Sequence, residues 1–132
     1  MVLLDTHAIL WWFGRSRFLS ARAARAIGQA SRVLVSPVSF WEVAILVRKK
    51  KLVLDRGVFE WVADFVAGER IDIAPLTPSA AAGAGMLGDA FTGDPADRFL
   101  YATARELAVP LITRDRAIRS FARASRDVRT IW

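Results

Sequence analysis

Short runs of consecutive apolar residues recur along this chain, each followed by a segment with helical spacing, and that alternation leaves few folds open. Val2-Leu3-Leu4, Val33-Leu34-Val35 and Pro110-Leu111-Ile112-Thr113 are apolar without alternation, as strands buried on both faces must be. Ile71-Asp72-Ile73 gives a short third strand, and Val128 to Ile131 supplies a fifth strand at the end of the chain. Between them the spacing predicts helices over residues 6–13, 21–30, 40–50, 57–67, 80–87, 96–107 and 116–124. Two of these have readable starts: Ser20 caps the second, and Pro95 opens the sixth at a position where a missing N–H is tolerated. Strand–helix–strand repetition of this kind calls for a parallel sheet with helices on both faces. The expected fold is therefore α/β, an α/β/α sandwich around a central, mainly parallel sheet of four to five strands. At 132 residues, with no internal repeat and no dividing linker, the chain reads as one domain spanning residues 1–132.

Four acidic residues stand at related places in that rhythm. Asp5 closes the first apolar run, Asp115 follows the fourth, Glu42 lies shortly after the second, and Asp97 falls in the first turn of the helix opened by Pro95. Open α/β sheets bind ligands in the crevice outside the carboxyl ends of their strands, so these positions can converge there. Each has a local reading too. Asp5, Asp94 and Asp115 stand where N-caps would stand, and Glu42 follows Ser39 at capping-box spacing. Capping alone does not predict that all lie at the same end of one sheet. Two unit charges about 4 Å apart repel by roughly 4 kcal/mol at an effective dielectric near 20, so a nest of carboxylates calls for a positive partner. Magnesium or manganese is the simplest one, because both prefer carboxylate and water oxygens. Asp5 and Asp97 are the expected direct ligands, with Glu42 and Asp115 coordinating through water or orienting a nucleophile, and Asp94 as a further acid.

The remaining charge points to a polyanion. Nineteen Lys and Arg against thirteen Asp and Glu give a net charge of +6, and sixteen of the nineteen are Arg. If several acids share one pocket, the rest of the surface is more basic than the net figure, which suits a nucleic acid that must also meet a metal. Arg98, Arg114 and Arg116 lie beside the acids in sequence and are the candidates to clamp a substrate phosphate. With no cysteine, neither a disulfide framework nor a thiolate metal site is available. The richest apolar stretch, Val38 to Val47, contains Glu42 and runs into Arg48-Lys49-Lys50-Lys51, so no membrane span is expected. The N-terminus lacks a basic n-region and a small-residue cleavage site, and the chain is read as mature and cytoplasmic. His7, the lone histidine, is read as packed or hydrogen-bonded. Gly83-Ala84-Gly85-Met86-Leu87-Gly88 matches G-x-G-x-x-G without following a strand, so it is read as close helix packing and not as a dinucleotide site.

These residues resemble a known family. Leu4-Asp5-Thr6-His7-Ala8-Ile9-Leu10-Trp11, Ser36-Pro37-Val38-Ser39-Phe40-Trp41-Glu42, Gly93-Asp94-Pro95-Ala96-Asp97-Arg98 and Leu111-Ile112-Thr113-Arg114-Asp115 are similar to the four motifs of PIN-domain toxins of the VapC type, in order and across the whole chain. The resemblance implies a PIN-like fold, magnesium- or manganese-dependent endoribonuclease activity, and a cognate antitoxin of the VapB type. It matches Asp5, Glu42, Asp97 and Asp115 to the family's acidic quartet. Thr92-Gly93 stands where many relatives carry a histidine. A homodimer is expected as well, from the amount of apolar surface. The alternative is a PIN-like module that binds RNA or protein without cutting, which has less need of a complete acidic set. A phosphatase or phosphotransfer domain could use Asp5 at a first strand end, but the chain lacks a second Asp two residues on and a partner lysine after the fourth strand.

Overall fold

The computed structural model describes residues 1–132. The first half of the chain runs β1 (Val2–Leu4), α1 (Thr6–Phe13), α2 (Ala21–Gln29), β2 (Val33–Val35), α3 (Pro37–Arg48), α4 (Val58–Val66) and β3 (Ile71–Ile73). The second half runs α5 (Pro78–Gly85), α6 (Pro95–Leu107), β4 (Leu111–Ile112), α7 (Arg116–Ser125) and β5 (Thr130–Ile131). The strands form one five-stranded sheet in the order β3-β2-β1-β4-β5, with every neighbouring pair parallel. From β1 the chain builds outward to β2 and β3, then returns to the other side of β1 for β4 and β5. The change of direction therefore falls between β1 and β4, the place where sheets of this class open a ligand crevice.

Side chains alternate between the two faces with period two, and each face has its own core. Val2, Leu4, Val33, Val35 and Ile112 are buried with Ile9 of α1, Ile27 of α2, Val43 of α3, and Trp61 and Phe65 of α4. Leu3, Leu34 and Leu111 point the other way and are buried with Leu87, Phe91, Tyr101 of α6 and Ile118 and Ala122 of α7. α5 covers α6 through Ala80, Ala84 and Ala102. Within the glycine-rich run only Gly83 faces α6, where a methyl group would lie 3.0 Å from the movable end of Arg105; Gly85 and Gly88 have open space beside them, so close packing does not account for those two. No helix is long and apolar enough to cross a membrane.

Two helices start earlier than their spacing predicts, and for the same reason. α3 begins at Pro37 behind the cap Ser36, whose hydroxyl accepts the Val38 amide at 3.2 Å. α5 begins at Pro78 behind Thr77, whose hydroxyl accepts the Ala80 amide at 3.0 Å. In both, proline stands at the first helical position, where its fixed φ suits the helix. Ser39 is consequently no cap: it is fully buried, and its hydroxyl has no partner.

Candidate active site

The cavity at the sheet's crevice is built from the hydrogen bonds that start helices. β1 ends at Leu4, and Asp5 turns the chain into α1 by accepting the Ala8 amide on Oδ1 at 2.7 Å. The same device follows β4: the Thr113 hydroxyl accepts the Asp115 amide at 3.0 Å, and Asp115 Oδ1 accepts the Ile118 amide at 2.8 Å to begin α7. α6 begins with a reciprocal pair, in which Asp94 Oδ1 accepts the Asp97 amide at 2.9 Å and Asp97 Oδ2 accepts the Asp94 amide at 3.2 Å. Glu42 is held differently. With Ser36 as the cap of α3, Glu42 lies in the second turn and outside the capping-box geometry expected with Ser39. Its Oε1 accepts the Thr6 hydroxyl, which ties α3 to α1.

Asp5, Glu42, Asp94, Asp97 and Asp115 line one cavity of about 320 Å³. Thr6, His7, Trp11 and Arg114 complete its wall. As arranged, no three acidic or histidine side chains are gathered tightly enough to form a cation-ligand cluster. The carboxylates share a space and are pinned around it.

That sharing is costly to charge. Asp5 is only 6% exposed, and burial pushes its carboxyl above the usual range, with Asp115 adding to the push. The Thr113 hydroxyl, the Ala8 amide and His7 pull in the opposite direction. Glu42 is raised by burial, then by Asp94 and Asp5, against the Thr6 hydroxyl. Asp97 is pushed up to about 7, first by burial and then by the charges of Asp94, Asp115 and Glu42. Desolvation and like charge act together here, the pattern that marks functional clefts.

Of the three arginines that sequence places beside the acids, Arg114 alone lines the cavity, with its guanidinium 5.8 Å from the Trp11 ring centroid. Arg98 is occupied elsewhere. It donates to the carbonyls of Leu87 at 2.7 Å and Phe91 at 2.9 Å, and lies over the Phe91 ring at 5.4 Å, stitching the approach to α6 onto that helix. A guanidinium committed to carbonyls is a structural clamp, and the phosphate contact expected of Arg98 is not what the structure gives it. Arg116 lies beside a separate hollow with Thr92 and Phe121. His7 touches Trp11 with ring centroids 5.3 Å apart but is otherwise exposed on the cavity wall. Trp12 sits edge-on to Phe65, whereas Trp41 is 57% exposed.

Sequence reasoning passed over three contributors. Thr6 and Thr113 supply the hydroxyls that hold Glu42 and the Asp115 amide, and each stands within two residues of a motif acid, where a polar neighbour could have been suspected. Gly93 is the third. A methyl group there would come within 2.6 Å of the Phe91 ring and 2.9 Å of Asp97 Cβ, so only glycine lets the turn press against Asp97.

A second hollow of about 600 Å³ adjoins the acidic cavity and shares His7 and Trp11 with it. Leu10, Leu46, Leu52 and Trp61 make it largely apolar.

A family model for the PIN domain matches residues 2–124. Over 131 residues, 99% of this chain and 98% of the other, the sequence is 40% identical to Ribonuclease VapC22 of Mycobacterium tuberculosis. Among solved structures, that of VapC20 from Mycobacterium tuberculosis, described as a toxin that cleaves the sarcin-ricin loop, matches with a TM-score of 0.66 at 16% identity, covering 92% of this chain and 95% of that one. VapBC-1 from nontypeable Haemophilus influenzae matches with a TM-score of 0.65 at 16% identity, covering 98% and 96%. A toxin–antitoxin complex from Klebsiella pneumoniae matches with a TM-score of 0.62 at 20% identity, covering 87% of each chain.

Proposed function

The chain belongs to the PIN-domain family, and from that premise we infer that it is an endoribonuclease, the toxin of a toxin–antitoxin pair, with the acidic cavity as the place where RNA is cut. The observation that carries this reading is the convergence of five carboxylates on one cavity beside Arg114.

The donor set fits a magnesium or manganese ion. The carboxylates offer hard oxygens. Glu42, Asp94, Asp97 and Asp115 each engage one oxygen with a protein donor and leave the other without one. The Asp97 carboxyl is raised by burial and then by the negative charges around it, and a divalent cation would offset both. Asp5 and Asp97 are proposed as the direct ligands, with Glu42, Asp115 and Asp94 acting through water or as orienting groups. A bound cation would supply polarisation of the phosphoryl group and a lowered pKa for water at the site.

The chain's own residues do the rest. Arg114 binds a non-bridging phosphate oxygen and holds the strand against the cavity. Glu42 or Asp115 orients the attacking water and takes up its proton. As the new P–O bond forms, the bond to the departing sugar oxygen breaks and that oxygen takes a proton from solvent. Asp5, fixed at the end of β1 by the Ala8 amide, keeps the site's geometry unchanged through the reaction.

Chelator should remove cleavage of RNA by the purified chain, and magnesium or manganese should restore it. Asp97→Asn should stay inactive under every condition while still folding and melting cooperatively. Full cleavage in excess chelator would overturn the cation. Hydrolysis of a phosphomonoester with RNA left uncut would overturn the nuclease.

An antitoxin helix is proposed to lie in the apolar hollow of Leu10, Leu46, Leu52 and Trp61, with a basic side chain reaching past His7 and Trp11 into the acidic cavity. Expression of this chain alone should then arrest growth, and the neighbouring gene product should relieve the arrest. A homodimer is proposed through the exposed Trp41 and its half-buried neighbour Ile45 on α3. Sedimentation of Trp41→Asp as a monomer, with the wild-type chain a dimer, is the outcome expected of it.

A further inference from the structure

Beyond the acidic cavity, a second polar hollow of about 270 Å³ opens along the edge strand β5. It is lined by Arg22 of α2, Arg119 and Arg123 of α7, and Thr130 of β5, with Ala122 and Val128 beside them. α2 and α7 cover opposite faces of the sheet, so their guanidiniums meet only because β5 is the last strand. No carboxylate lines the hollow. The protein's ion pairs use Arg32, Arg56 and Arg105, which leaves Arg22, Arg119 and Arg123 without an acidic partner. Three like charges facing a shared polar space are arranged for an anion, and the planar fork of arginine matches a phosphate's oxygens.

The same helix joins this hollow to the acidic cavity. The cap of α7, Asp115, lines the cavity, and Arg123 stands eight residues further along. At 1.5 Å per residue the two are about 12 Å apart along the axis. That is a span of roughly three to four stacked nucleotides at about 3.4 Å each. Arg116, Arg119 and Arg123 follow one another at helical spacings of three and four, so they form a single stripe on α7. From residue 114 onward the chain carries six arginines against two aspartates, and four of the six, Arg114, Arg116, Arg119 and Arg123, lie between the acidic cavity and the hollow at β5.

We propose that the arginine hollow at β5 is a phosphate-binding exosite that holds the RNA backbone a few nucleotides from the bond being cut. This rests on the ribonuclease reading, which brings the strand to the Asp115 end of α7. An acidic protein segment would satisfy the charge, but a polyphosphate strand also satisfies the continuity between the two cavities.

The test measures RNA binding on an Asp5→Asn background, so that the RNA survives, using labelled single strands of two nucleotides, too short to reach from the acidic cavity to Arg123, and of twelve nucleotides across a salt series. Arg119→Gln with Arg123→Gln should lower the logarithmic salt slope for the longer strand by about 1.4, at about 0.7 per lost phosphate contact, and leave the slope for the shorter strand unchanged. Replacing both arginines by lysine should retain the slope. If the double variant unfolds, Arg22→Gln alone should lower the slope by about 0.7. An unchanged slope for the longer strand, with RNA still bound and cut by the wild-type chain, overturns the exosite and leaves the ribonuclease standing. An unchanged slope together with loss of antitoxin binding assigns the hollow to a protein and overturns it likewise. A wild-type chain that neither binds nor cuts RNA overturns both.

Discussion

In the acidic cavity every carboxylate is held by a hydrogen bond to the protein, whereas in the hollow beside β5 the guanidiniums of Arg22, Arg119 and Arg123 have no carboxylate to hold. The two regions use like charge for opposite ends. Pinned carboxylates stay close despite their repulsion because helix amides and threonine hydroxyls fix them, and a fixed set is what a reaction coordinate needs. Arginines on long, unanchored stems can follow a flexible chain, which suits holding better than cutting. Arg98 is the informative exception, an arginine fixed by backbone carbonyls, and it belongs to the scaffold of the acidic cavity.

The largest effect that would sharpen this contrast is chemical. Asp5→Asn keeps a capping oxygen and removes a charge, so RNA cleavage should fall below detection while the chelated protein melts no lower than wild type. Asp5→Ala should be equally inactive and also less stable by about 1 kcal/mol, the usual value of a cap. Equal denaturation midpoints for the two variants would show that the anchor is idle. The next effect is structural: Arg98→Ala leaves the Leu87 and Phe91 carbonyls without their charged donor and should cost roughly 2–3 kcal/mol by urea denaturation. Arg119→Gln should change stability by no more than about 0.5 kcal/mol. A comparable loss in both would erase the distinction between pinned and free arginines. Gly93→Ala is expected to cost about 1–3 kcal/mol, because the added methyl must displace Phe91 or Asp97, and to reduce cleavage as Asp97 moves.

The smallest effect is a titration. Asp97 has its carboxyl raised to about 7 in the folded chain, above the ordinary carboxylate value near 4. A raised acid favours the folded state while protonated, so its contribution is complete below about pH 4 and is lost as pH rises through about 7. In chelator, the melting temperature should therefore decline over that window, and Asp97→Asn should flatten the decline. Saturating magnesium should flatten it too, since a cation favours the ionised form. A melting temperature that rises over the same window in chelator would contradict the crowding of Asp97 by Asp94, Asp115 and Glu42.

Much of this arrangement was legible in the sequence because the same residues serve local and global purposes. The runs at Val2, Val33 and Leu111 are apolar throughout, as strands covered on both faces must be, and all three are buried at every position. Asp5, Asp94 and Asp115 were readable as caps, and Asp5 and Asp115 follow β1 and β4, the two strands between which the crevice opens. What sequence could not reveal was tertiary. Glu42 is fixed by a hydroxyl thirty-six residues away, on Thr6, which no local spacing encodes. Arg98 adjoins Asp97 in the chain, yet its guanidinium turns to carbonyls of residues 87 and 91, since helical neighbours at i and i+1 leave in different directions. The meeting of Arg22 with Arg119 and Arg123 depends on the order of strands, which places β5 at an edge.

The carboxylates that begin α1, α6 and α7 make inactivation and misfolding separable events. Asparagine caps a helix about as well as aspartate, so a single-base change of Asp to Asn at 5, 94 or 115 silences a charge without releasing a helix. A population of such genes would accumulate folded, harmless copies more readily than unfolded ones. Those copies would keep the hollow of Leu10, Leu46, Leu52 and Trp61, and with an antitoxin docked there as proposed they would compete with active chains for it. A silenced copy of this chain is thus a potential decoy, able to free its active siblings by occupying their inhibitor.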